Sequence, residues 1–88
     1  MPPKKLLKRL AMGQLSNVPF AGMVTLVEAF GFKRARTAGS HHIFCHPGIS
    51  ELINLQNVKG EAKPYQVRQF LRLVERYNIK LVLRDELR

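Results

Sequence analysis

Residues 32–47 read F-K-R-A-R-T-A-G-S-H-H-I-F-C-H-P, and this stretch decides the fold. Helical spacing of apolar residues stops at Phe32. Two short strand-like runs, F-K-R-A-R-T and H-H-I-F-C-H, flank the turn residues Ala38, Gly39 and Ser40. A second turn, Pro47-Gly48, leads into E-L-I-N-L-Q, Glu51 to Gln56, which reads as a third strand. Successive strands joined by short turns pair antiparallel, so a three-stranded meander is expected.

Helices are expected on both sides of this meander. Upstream, Phe20, Met23, Val24, Val27 and Phe30 recur at helical spacing, with Ser16 or Asn17 available as cap and Pro19 in the first turn. Gly31 then supplies the stop, because glycine takes the left-handed conformation without strain. Downstream, Asn57 to Lys63 reads as a polar loop. Pro64 opens a second long helix, with Val67, Phe70, Leu71, Val74 and Tyr77 as its apolar stripe and Arg68, Arg72 and Arg76 away from it. A short basic helix with Leu6, Leu7 and Leu10 on one side, ended by Gly13, precedes all of this. The expected fold class is therefore α+β: two layers, a three-stranded antiparallel sheet with both main helices on one face, plus the N-terminal helix. The chain divides into a basic helical extension (1–15), one domain (16–78) and a tail (79–88), of which Ile79 to Leu83 is β-like.

At 88 residues and 45% hydrophobic composition, one core is expected without staples. Cys45 is the single cysteine, which excludes an intramolecular disulfide scaffold and a zinc ribbon and fits a reducing cytoplasm. No apolar run reaches the roughly 18 residues of a membrane span, so no membrane partner is expected. Fifteen Lys and Arg against six Asp and Glu give a net charge of +9, the electrostatic footprint of a protein that binds a polyanion, nucleic acid first among them. The cations are dispersed, so any positive face is assembled by folding.

His41, His42 and His46 are the three histidines of the chain. Alternation along a strand puts His42, Phe44 and His46 on one face and His41, Ile43 and Cys45 on the other. His42 and His46 then stand roughly 13 Å apart by strand rise, too far to share one ion, so no metal site is expected. An imidazole, with an ordinary pKa of about 6.5, suits general acid or base work at neutral pH. On RNA such a group needs little help. The ribose 2′-OH is a built-in nucleophile, and the enzyme has only to remove its proton, hold the phosphate in line and stabilise the developing charge. Which histidine faces outward stays open on alternation alone: burial of Phe44 turns His42 inward and His41 outward, and burial of Ile43 and Cys45 does the reverse.

The G-F-K-R-A-R-T-A-G-S-H-H-I-F-C-H-P stretch, framed by these helices, resembles the HicA family, the small toxins of type II toxin–antitoxin systems that act as mRNA interferases. The resemblance spans about Phe20 to Asn78. The segment N-L-Q-N-V-K-G-E-A-K-P, Asn54 to Pro64, stands where the family more usually has a V-P-x-H-type segment. The resemblance implies a double-stranded-RNA-binding-domain-like fold, metal-independent cleavage of mRNA and inhibition by a HicB-type antitoxin; no cofactor or small-molecule ligand is expected. It also implies that the catalytic histidine is the one directly after Gly39-Ser40, namely His41, with His42 the alternative. Ser40, Lys33, Arg34, Arg36, Lys59, Lys63, Arg68 and Arg72 are the expected RNA contacts, mainly to phosphates. A non-catalytic RNA-binding module and a basic protein-interaction domain are the alternative functions.

Overall fold

The computed structural model describes residues 2–82. Its elements are α1 (Pro3–Ala11), α2 (Phe20–Ala29), β1 (Lys33–Ala38), β2 (His41–Cys45), β3 (Ile53–Val58), β4 (Glu61–Ala62) and α3 (Pro64–Tyr77). The fold class is α+β, as expected, but the antiparallel sheet has four strands in the order β1-β2-β3-β4 rather than three.

The extra strand comes from the segment expected to be a loop. β3 lies two residues further along than Glu51–Gln56, and it turns back through Lys59 and Gly60, both at positive φ (53° and 86°). Two consecutive left-handed residues form the tight hairpin turn whose twist matches paired strands. The Asn57 side chain braces it, accepting a hydrogen bond from the Gly60 amide at 2.8 Å. β4 also sets the start of α2. The Val18 carbonyl accepts from the Ala62 amide, and the Phe20 amide donates to the Gly60 carbonyl. Residues 18–20 therefore run extended along β4. The N-cap is Pro19, with no side-chain cap, in place of Ser16 or Asn17.

Phe44, Ile53 and Leu55 form the buried face of the sheet. Onto it pack Met23, Leu26, Val27 and Phe30 from α2 and its C-cap, and Val67, Phe70 and Leu73 from α3. Phe70 is the centre of an aromatic cluster, edge-on to Phe30 at 5.4 Å and to Phe32 at 5.8 Å between centroids. Relative to the expected stripe, α3 is rotated so that Gln66 and Leu73 are buried, while Leu71 and Val74 are only partly covered and Tyr77 is exposed. α1 is too short to stand alone. It docks through Leu6 and Leu10, both in the core, at roughly 1.5–3 kcal/mol for each buried leucine. Arg9 closes the return by donating to the Ser16 and Asn17 carbonyls.

Gly31 ends α2 at φ +93°. Beyond Asn78, itself left-handed, Ile79 and Leu81 pack against the core and the Val82 amide donates to the Ala29 carbonyl at 2.7 Å. Residues 79–82 thus dock without forming a strand, and 83–88 lie outside the described residues. No helix among the described residues is long and apolar enough to cross a membrane.

Candidate functional site

The β1–β2 hairpin places the histidines. Ala38 pairs with His41 across the two-residue loop Gly39-Ser40, with Gly39 at φ +59° in the first loop position, where glycine is favoured. The Ser40 carbonyl accepts from the Asn57 amide at 2.9 Å, which ties this turn to β3. The register then fixes the faces. His42 pairs with Thr37 and Leu55, Phe44 with Arg34 and Ile53. Because Phe44 and Leu55 are fully buried, His42 lies on the core side, with α2 and α3, and His41 on the opposite side.

The two neighbouring histidines therefore have opposite environments. The His42 ring packs on Phe20, 4.8 Å between centroids, and its Nδ1 is buried with no hydrogen-bond partner. Burial, followed by the nearby Arg34 guanidinium and His41, holds its pKa below the ordinary value. Protonation at Nδ1 would add a buried N–H with no acceptor. His41 is half-buried on the open face, and its Nδ1 lies 3.3 Å from Oδ1 and 3.2 Å from Nδ2 of Asn54. Its hydrogen bonds among the described residues all run through Nδ1, to Asn54.

Asn54 is a residue that the sequence reading missed. It follows Ile53 and precedes Leu55, both buried, so alternation alone sends its side chain to the open face. It sits diagonally across from His41, whose direct partner is Gln56. His46 plays a different part. It lies beyond the end of β2, its ring against Phe32 and between Gly31 and Gly48, with Nδ1 accepting from the Gly48 amide at 2.9 Å. That ring lines a cleft of about 310 Å³ with Phe30, Ile49, Ile79 and Tyr77. Nearby, the Tyr77 hydroxyl donates to the Glu51 carboxylate at 2.6 Å and holds that carboxyl below its ordinary pKa, with Arg76 3.5 Å away.

The expected RNA contacts fall into three groups. Arg36 pairs with Ile43 and so shares the open face with His41, while Lys33 pairs with Cys45 further along β1. Arg34 turns the other way, its guanidinium 5.5 Å from the centre of the Phe44 ring. Ser40, Lys59 and Lys63 cluster at the end of the sheet where His41 sits, on the two hairpin turns and the start of α3. Arg68 and Arg72 are exposed on α3, which covers the buried face, so they do not share the open face with His41. Among the described residues no three His, Cys, Asp or Glu side chains converge as a metal-binding set.

Fold and site together define a small basic α+β domain that presents one braced histidine on the sheet face away from its helices, with Arg36 and Lys33 on the neighbouring strand and further cations at the sheet end. The chain belongs to the family described as HicA toxin of bacterial toxin–antitoxin, whose model matches residues 22–75, well over half of its length. It is thus a toxin-type component of a toxin–antitoxin system. Comparison with curated proteins and with solved structures gives no significant match.

Proposed function

We propose that the chain is an endoribonuclease that cleaves mRNA in the cytoplasm, with His41 as general acid or base, and that a HicB-type antitoxin silences it by covering the open face. The observation that carries this reading is the contrast between the two histidines. His42 is set against Phe20 with a buried Nδ1, whereas His41 lies on the opposite side with its Nδ1 held by Asn54. The α2–β1–β2–β3–α3 order supports a double-stranded-RNA-binding-domain-like architecture, with β4 as an addition.

In this reading His41 Nε2 takes the proton of the ribose 2′-OH, whose oxygen attacks the adjacent phosphorus in line. Asn54 accommodates either neutral form of the ring, its carbonyl oxygen accepting from Nδ1–H or its amide donating to a bare Nδ1. Arg36 and Lys33 on β1, with Ser40, Lys59 and Lys63 at the hairpin end, hold phosphates and offset the charge that grows on the phosphoryl oxygens. Arg34, turned to the other face beside Phe44, and Arg68 and Arg72 on α3 serve more distant phosphates. The new P–O bond to the 2′-oxygen forms as the P–O5′ bond breaks, and the departing 5′-oxygen takes a proton from solvent, so the step balances without a cofactor.

The test is cleavage of matched single-stranded oligonucleotides, one all-ribose and one all-deoxyribose. Cutting of the first alone supports the 2′-OH route. A folded protein that binds the RNA and leaves it intact is a non-catalytic RNA-binding module.

A further inference from the structure

We infer that Tyr65 is a stacking platform for an unpaired nucleobase at the end of the sheet where His41 sits, an inference that rests on the RNA reading above. The chain has five phenylalanines and two tyrosines, and all five phenylalanines are buried. Of the tyrosines, Tyr77 is committed, its hydroxyl within 2.7 Å of both Glu51 oxygens and Arg76 over its ring at 5.4 Å. Tyr65, in the first turn of α3, is the more exposed of the two, 57% against 37% for Tyr77.

Its position relative to His41 is built in. Gln66 is 1% exposed, and its Oε1 accepts from the Gln56 amide at 2.7 Å, while its Nε2 donates to the Tyr65 hydroxyl at 3.3 Å. Gln56 is the direct cross-strand partner of His41, one strand spacing of about 4.8 Å away. A buried glutamine thus fixes an exposed aromatic ring against the strand next to the candidate catalytic histidine. Lys63 Nζ stands 5.8 Å from the centre of the Tyr65 ring, so a cation able to take a phosphate accompanies a π-face able to take a base. That pairing is how proteins hold single-stranded nucleic acid, with stacking that tolerates any base. Bases inside a duplex are already stacked, so the platform favours unpaired RNA.

The experiment measures binding of fluorescein-labelled poly(U), poly(A) and a duplex RNA to protein carrying His41→Ala, so that the probe stays intact, with and without Tyr65→Ala or Tyr65→Phe. Tyr65→Ala is expected to weaken single-strand binding about 5- to 100-fold, the effect of losing one base stack. The slope of affinity against salt should stay unchanged, because no phosphate contact is lost. Duplex binding should be unaffected, and Tyr65→Phe should bind like its parent. Equal single-strand affinity with and without Tyr65→Ala would overturn the inference. So would a Tyr65→Phe loss as large as that of Tyr65→Ala, which would make the hydroxyl a structural brace. A parent protein that binds none of the RNAs would overturn the RNA reading itself, a failure visible before any Tyr65 variant is compared.

Discussion

Nδ1 of His41 lies within 3.3 Å of both the oxygen and the nitrogen of the Asn54 amide, so one side chain on β3 can orient the ring on β2 whichever nitrogen carries the proton. This diagonal pair makes Asn54 a positioning residue in the proposed reaction.

Replacing Asn54 by alanine should leave the fold intact, since the side chain lies outside the core, and should lower kcat roughly ten- to hundredfold through a misplaced imidazole. KM for RNA should change little. Asn54→Asp, which can still accept from Nδ1–H, should recover part of the loss. Steady-state cleavage of a fluorogenic RNA reads both parameters. A change confined to KM would make Asn54 an RNA contact instead.

His42 should make the fold acid-sensitive. Its folded pKa lies below the ordinary 6.5 because burial opposes the charge, with Arg34 and His41 adding to the effect. As pH falls below 6.5, the unfolded chain takes up the proton first, so the unfolded state binds more protons and stability drops towards the lower folded value. Urea midpoints at neutral and mildly acidic pH should therefore fall further for wild type than for His42→Phe, which keeps a ring against Phe20. Equal slopes for the two proteins would contradict this account.

Gly31→Ala tests the other end of the sheet. At φ +93° an alanine is strained, and its Cβ would stand 3.2 Å from His46 Nε2. A cost of about 1–2 kcal/mol follows, seen as a Tm lower by roughly 4–16 °C in a domain of this size. RNA cleavage well below that Tm should be unaltered. An unchanged Tm would show that the loop around His46 yields freely.

The parts of this structure that sequence makes legible are those fixed by local chemistry. Gly31 stops α2 because the chain needs positive φ there, and Gly39-Ser40 can only be a tight turn between strands. The site needed tertiary information. Phe44 and Cys45 compete for the core on alternation alone, and Phe44 prevails because its ring is enclosed by the core that both helices complete. Lys59-Gly60 was the visible signal for β4. It was obscured because Glu61 and Ala62 make too short a strand to show a period. Asn54 was legible as a face, but the meeting with His41 depends on the pairing of β2 with β3. The same holds for Tyr65, whose neighbour Gln66 is a polar residue at a buried helix position, held there by the backbone amide of Gln56.

The most direct test of the central claim is cleavage of a long single-stranded mRNA in EDTA by wild type, His41→Ala and His42→Ala, each confirmed folded by circular dichroism. The account predicts that wild type cuts, that His42→Ala cuts while losing stability, and that His41→Ala is slower by about 10²–10⁴-fold while still binding the RNA. Undiminished cleavage by His41→Ala would contradict it.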